Sequence, residues 1–426
     1  MIKKVSKSKS GLNGCINIPS DKSISHRAVI LGGIANGVTI VKNFSSGKDP
    51  HSSLSIMRAL GVNIEQIDAS TLKIVSNGRL NKPQKNLDCG NSGTTMRLLS
   101  GVLAGQSFSS VLVGDKSLSN RPMKRVIEPL SLMGAKIESV ENHAPLTIWG
   151  GNLNAITYNS PIASAQVKSC LLLAGLYADG ETLIDEPFLS RNHSELMLEY
   201  FGADICAKGT SVKIKKSQLQ GTVINVCGDI SSAAYFIVAG LIVPNSDLIL
   251  KNVGLNPTRT GILDVAKRMG GDIQILSQQT ISGELCGDIR VKTSELRGCE
   301  ISSEIIPRLI DEIPIIAVLA TQAQGETIIK GAQDLRNKES DRISAIVTEL
   351  RKLGADVEEF PDGLRISGQT RLKGDCELDV YNDHRLAMSL YVAGLVCDKE
   401  VAIRAFEWVS ISFPEFESLF GQIQAN

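Results

Sequence analysis

The sequence predicts an α/β protein of two domains built from six similar repeats. Two interleaved marks that recur along the chain carry this expectation, and the length of 426 residues supports it. The first mark is a helical stretch closing on a large apolar residue and glycine. It reads Leu60-Gly61, Met133-Gly134, Phe201-Gly202, Met269-Gly270, Leu353-Gly354 and Phe420-Gly421. These glycines recur at intervals of roughly 70 residues, and glycine just past a periodic helix is the usual left-handed cap. After the first five an alternating, strand-like segment follows, as in Ala355-Asp356-Val357-Glu358; the sixth lies at the chain end, with no room for one.

The second mark is a polar cluster that opens an apolar, small-residue helix. It spans residues 20–33, 91–105, 164–175, 229–240, 311–320 and 382–394. These helices are apolar nearly all round, so each is expected to be buried. Six repeats exceed a single core, which places three in each of two domains. The expected division is 1–20 plus 228–426 for one domain and 21–227 for the other. The strand before Ser20 is expected to pair with the later half.

Composition narrows the function. Lys+Arg and Asp+Glu both count 45, so a globally basic nucleic-acid binder is disfavoured and any basic site is local. No apolar run approaches the ~18 residues of a membrane span. Met1-Ile2-Lys3-Lys4 is basic but no apolar signal core follows it, so neither secretion nor a transit peptide is expected. Nine cysteines without a Cys-x-x-Cys pair read as reduced, mostly buried thiols of a cytoplasmic protein. The five histidines offer no zinc-like spacing with them.

Buried helices with polar starts leave N–H groups that favour an anion. The groups gathered at or near those starts suit one. The first offers Lys22, Ser23 and Arg27; the second offers Gly93 within Gly90-Asn91-Ser92-Gly93-Thr94; the third offers Ser164, Ala165, Gln166 and Lys168. Arg121 and Arg191 add donors in the same half, and the later half brings Asp311, Lys338, Glu339, Arg342 and Arg385. Arginines suit forked contacts with carboxylate and phosphate, and the acids suit proton transfer. Each motif alone has a plainer reading: 338–342 as a solvated helix face, 91–95 as a capped turn, His384 as a structural histidine. Their recurrence at equivalent places points to small, multiply anionic ligands in a cleft between the domains. A Walker-type phosphate loop, a dinucleotide glycine fingerprint and a Gly-x-Ser-x-Gly elbow are all missing from the sequence.

Ser20-Asp21-Lys22-Ser23-Ile24-Ser25-His26-Arg27, Gly90-Asn91-Ser92-Gly93-Thr94, Asn120-Arg121-Pro122-Met123, Ser164-Ala165-Gln166-Val167-Lys168, Lys338-Glu339-Ser340-Asp341-Arg342 and Asn382-Asp383-His384-Arg385 resemble the signatures of the 5-enolpyruvylshikimate 3-phosphate synthase family. The resemblance covers essentially the whole chain, to Phe413-Pro414-Glu415-Phe416, with the motifs in family order. It implies an inside-out α/β barrel fold of six βαβαββ units, three per domain, and an open form that closes on its substrates. It also implies a monomer with no metal or organic cofactor. The small-molecule substrates it implies are phosphoenolpyruvate and shikimate 3-phosphate, with no nucleic acid and no membrane.

Carried over by position, the resemblance assigns Lys22, Ser23, Arg27, Ser164, Ala165, Gln166, Arg191, Asp311 and Lys338 to shikimate 3-phosphate. Lys22, Gly93, Arg121, Gln166, Arg342 and Arg385 fall to phosphoenolpyruvate. Asp311, Lys338, Glu339 and Lys22 are then the catalytic set. Domain 21–227 would carry most of the shikimate site, and 1–20 plus 228–426 the acids and part of the phosphoenolpyruvate site. Ser-Ala-Gln, Leu98 after Arg97, and Ser190-Arg191-Asn192-His193 resemble the family's second class, and Ile411 stands near where some members carry a lysine. Gly93 leaves room for the inhibitor glyphosate, so sensitivity is expected. An enolpyruvyl transferase acting on a nucleotide sugar, or an inactive binding scaffold, are the competing readings; Lys338-Glu339 and Asp21-Lys22-Ser23 favour shikimate.

Overall fold

In the computed structural model, which describes residues 1–424, the apolar helices start where a short polar side chain can take up orphan N–H groups. Asp21 accepts from Ile24 N ahead of the helix Lys22–Ile34, and Ser92 from Thr95 N ahead of Gly93–Ala104. Ser164 accepts from Val167 N (Ala165–Gly175), Asp229 from Ser231 N (Ile230–Ile242) and Asp383 from Arg385 N (His384–Gly394). The fifth differs. Asp311 and Glu312 lie in a short 3₁₀ turn, and the helix Ile313–Thr321 begins without a side-chain cap, its second residue being Pro314. All six are buried along most of their length, as their all-round apolar character requires.

The glycine mark is also structural, with one correction. Gly61, Gly134, Gly202, Gly270 and Gly354 take positive φ just past their helices and turn the chain into a strand. Gly421 does not: it lies inside the helix Phe416–Gln424. That helix runs through the position instead of turning.

Among the described residues the strands form five four-stranded sheets and one three-stranded sheet, and the residues divide into two compact units. Unit two comprises Ser20–Val226 with Ile281–Glu284 and contains three of the sheets. Each has one parallel outer pairing and two antiparallel ones. Two read in chain order as βαβαββ, as in Leu87–Asp88, helix, Ser109–Val113, helix, Lys136–Val140 and His143–Trp149. In the third, Val223–Asn225 supplies the outer strand beside Asn36–Lys42. Helices Gly93–Ala104 and Ala165–Gly175 pack closely, because a Cβ at Gly101 would fall 2.1 Å from the Cys170 carbonyl oxygen.

Unit one comprises Met1–Pro19, Cys227–Thr280 and the chain from Leu285. Two of its strands come from the N-terminus. Asn13–Asn17 runs parallel to Asp247–Gly254, and Lys3–Val5 runs antiparallel to Val401–Ile403, completing the three-stranded sheet. An aromatic cluster fills its core: Phe236 stacks on Phe420 at 4.5 Å, and Phe416 meets Tyr235, Tyr391 and Phe413. Burying each such ring contributes about 1.5–3 kcal/mol. The architecture is the mixed α/β fold expected from the two marks.

Candidate functional site

In unit one the polar groups centre on Arg342, the first residue of the helix Arg342–Lys352, which Asp341 caps through Ser344 N. Its guanidinium is 1% exposed and meets three carboxylates. Nε donates to Asp383 Oδ2 at 2.7 Å, Nη1 to Asp311 Oδ1 at 3.2 Å, and Nη2 to Glu339. Burial pulls its pKa down, but Asp383, Glu339 and Asp311 more than reverse this, so the charge is locked in. Asp383 is fully buried and also accepts from Ser340.

Arg385, the second residue of the helix His384–Gly394, shares one of these acids, Asp311. It donates to the Asp311 carbonyl at 3.3 Å and stands 3.8 Å from Asp311 Oδ2 and from Glu312 Oε1. Burial again lowers its pKa and is outweighed by Asp311, Tyr235 and Glu312. Glu312 accepts from Ser231, which also accepts from the buried Arg259. Lys338 is half-buried; burial holds its amine below the usual lysine value, with Asp311 and Asp334 pulling back. Asp311, Lys338, Glu339, Arg342 and Arg385 therefore form one cluster.

In unit two the groups fall around three helix starts. Lys22 pairs with Asp49. Arg27, 5% exposed, donates to Ser194 Oγ at 2.7 Å, Ser169 Oγ at 2.8 Å and the Ser23 carbonyl at 3.0 Å. Gly93 stands against two guanidinium tips, for a Cβ there would lie 2.9 Å from Arg97 Nη1 and 3.5 Å from Arg121 Nη1. Arg121 donates to Asn91 at 2.9 Å. Arg97 donates to Gln166, whose amide donates to Thr94 at 3.1 Å. The Ser164 amide donates to Glu186 at 2.9 Å, and Ala165 is the first helical residue after it. Arg191 is half-exposed; burial lowers the pKa of nearby Arg27, and the Arg191 charge adds to this. Thus Arg97 and Arg121 both come to Gly93, Arg97 reaches Gln166, and Lys22 and Arg27 bond Asp49 and the Ser23, Ser169 and Ser194 oxygens.

Sequence reasoning missed several partners. Arg97 lies four residues after Gly93 on one helix face, a spacing that could have flagged it. Asp383 lies in a polar helix start, but its second role, holding Arg342 across 41 residues, leaves no local pattern. Asp49 and Glu186 likewise meet their lysines only through the tertiary fold. Among the described residues, no cluster of His, Cys, Asp and Glu could hold a metal ion.

Fold and side chains together define an α/β protein with two sets of cations and acids suited to small polyanions. A family model described as EPSP synthase (3-phosphoshikimate 1-carboxyvinyltransferase) matches residues 6–420. The chain is 54% identical over 420 residues to the 3-phosphoshikimate 1-carboxyvinyltransferase of Thermoanaerobacter sp. (strain X514), covering 98% of this chain and 99% of that one. It is 52% identical to the enzyme of the same name from Petrotoga mobilis over 421 residues, 97% of this chain and 98% of the relative. The EPSP synthase structure from Acinetobacter baumannii superposes with a TM-score of 0.88 at 40% identity, covering 99% and 97% of the two chains. The enolpyruvyl transferase NikO from Streptomyces tendae shares the fold at a TM-score of 0.80 and 17% identity, covering 99% and 97%. The chain belongs to the EPSP synthase family.

Proposed function

We propose that this chain transfers the enolpyruvyl group of phosphoenolpyruvate to the 5-hydroxyl of shikimate 3-phosphate, releasing phosphate, in aromatic amino acid biosynthesis. The observation that best supports it is Arg342 held by Asp311, Glu339 and Asp383 with Arg385 beside them. Two arginines that share an acid, Asp311, can exchange their carboxylate partners for a substrate carboxylate or phosphate.

In the proposed reaction the 5-hydroxyl oxygen bonds to the central carbon of phosphoenolpyruvate. Its proton passes to Asp311 or Lys338 while the methylene carbon takes a proton from Glu339. The carbon–oxygen bond to phosphate then breaks, phosphate leaves with the proton held by Asp311 or Lys338, and the new methyl group returns a proton to Glu339. An anion that takes up Arg342 Nη2 removes the cation facing Glu339, which favours protonation of that carboxylate. Arg121, Arg342 and Arg385 would hold phosphoenolpyruvate, with Lys22, Gly93 and Gln166 assisting. Ser164, Ala165, Gln166, Arg191, Lys22, Ser23, Arg27, Asp311 and Lys338 would receive shikimate 3-phosphate. Fixed cations stabilise the developing charge.

Phosphate release that requires both substrates together tests the reaction; release without shikimate 3-phosphate, or none at all, would overturn it. Glu339→Gln tests the mechanism: kcat should fall roughly 100-fold or more, and turnover near wild type would remove Glu339 from it. The same reading makes the chain a cytoplasmic monomer; among the described residues no helix is long and apolar enough to cross a membrane. Light scattering at assay concentration measures the oligomeric state.

A further inference from the structure

We propose that Lys168 is a positioning residue that holds Arg191 in register with the Ser164-capped helix, making the two one receptor for the phosphorylated substrate. This rests on the assignment of Ser164, Ala165, Gln166 and Arg191 to shikimate 3-phosphate made above. The geometry lies wholly within unit two. Lys168 is on the first turn of the helix Ala165–Gly175 and is 2% exposed. Its ammonium meets Glu186 Oε2 at 2.7 Å, Glu195 Oε1 at 2.8 Å and the Ser190 carbonyl at 3.4 Å. Glu186 in turn accepts from the Ser164 amide at 2.9 Å and the Ser190 hydroxyl at 2.7 Å. One carboxylate thus grips Ser164 and the residue before Arg191, and one ammonium grips both ends of segment 190–195.

The rest of that segment is anchored too. His193 bonds Glu284 at 2.6 Å, and Ser194 accepts from Arg27 at 2.7 Å. Ser190, His193, Ser194 and Glu195 are all buried, whereas Arg191 and Asn192 are half-exposed. Two buried cations, Lys168 and Arg27, offset two buried carboxylates, Glu186 and Glu195. Simple space-filling calls for no such arrangement: Leu171 and Leu172, on the next turn of the same helix, are apolar and fully buried. A buried ion pair gains little stability over an apolar replacement, so it is better explained by the geometry it imposes.

The test is a double-mutant cycle of Lys168→Met and Arg191→Ala, with KM for each substrate and Tm measured for all four proteins. Arg191→Ala should raise KM for shikimate 3-phosphate. Lys168→Met should raise the same KM roughly tenfold while leaving that of phosphoenolpyruvate within about twofold. The double variant should be no worse than Arg191→Ala alone, and Lys168→Arg should recover most of the loss. Additive losses, or both KM values rising together, would overturn the positioning role while leaving the site assignment standing. An unchanged KM in Arg191→Ala would overturn the site assignment itself, and the positioning role with it. If Lys168→Met does not fold, Ser190→Ala takes its place in the cycle. It removes one hydrogen bond to Glu186, so about threefold is expected with Arg191 present and no change without it; a change in both backgrounds, or in neither, overturns the proposal.

Discussion

Gly93→Ala probes the corner where Gly93 meets two arginines. The new methyl group would lie 2.9 Å from Arg97 Nη1 and 3.5 Å from Arg121 Nη1. Ordinary contact needs about half an ångström more at the first, so the Arg97 tip must retreat. That strains its bond to Gln166, a charge-assisted contact worth about 1.5–3 kcal/mol when intact. Alanine within a helix returns about 0.5–1 kcal/mol, and partial loss of the bond roughly offsets this. Tm should therefore change by no more than about 4 °C. The methyl group also occupies space assigned to phosphoenolpyruvate, so its KM should rise about tenfold, equal to about 1.4 kcal/mol. A phosphate-release assay with each substrate limiting in turn, beside a thermal melt, measures both. An unchanged KM for phosphoenolpyruvate at unchanged Tm would refute the seat assigned to this substrate. A melt lowered by much more than the stated range would refute the packing argument.

Three further outcomes follow from the same structure. Glyphosate at millimolar level and limiting phosphoenolpyruvate should slow turnover, and less so in Gly93→Ala; unchanged wild-type turnover refutes the room assigned at Gly93. Burial lowers the pKa of Lys338, so the unfolded chain binds more protons between that lowered value and the ordinary ~10.4, and the Lys338 contribution to stability grows with pH across this window. Unfolding titrations of wild type and Lys338→Met should converge as pH rises there; divergence counts against a desolvated amine. His26 is fully buried, and burial, with Lys22 and Arg27 adding, lowers its pKa to about 3. The fold keeps it neutral while the unfolded chain takes up a proton below ~6.5, so stability present above that pH is lost on acidification, by about 1.4 kcal/mol per pH unit at most. His26→Gln should be less acid-sensitive between 6.5 and 4, and an equal slope would show that His26 is not the titrating group.

What the sequence made legible was local chemistry. Asp21, Ser92, Ser164, Asp229 and Asp383 announced helix starts because a cap and an apolar run lie side by side in the chain. The five turning glycines were legible because positive φ is costly for other residues. Gly421 departs because the same dipeptide also fits inside a helix, where glycine needs no positive φ. The cluster around Arg342 was only half visible. Its cations and acids stood in motifs, but which acid faces which cation depends on contacts between distant segments, as with Asp311 and Asp383. The role of Lys168 has no local mark for the same reason: Glu186 and Glu195 have no sequence relation to it that marks a pair.

The strands Lys3–Val5 and Asn13–Asn17 are made well before their neighbours Val401–Ile403 and Asp247–Gly254. Until then these strands present bare backbone edges, a state open to wrong pairings. Nearly all of unit two, by contrast, is one uninterrupted stretch, Ser20–Val226, and is ready to fold while synthesis continues. The order of manufacture thus runs opposite to the order of closure for the first nineteen residues, and refolding of unit one should be the slower event because it joins the most distant parts of the chain.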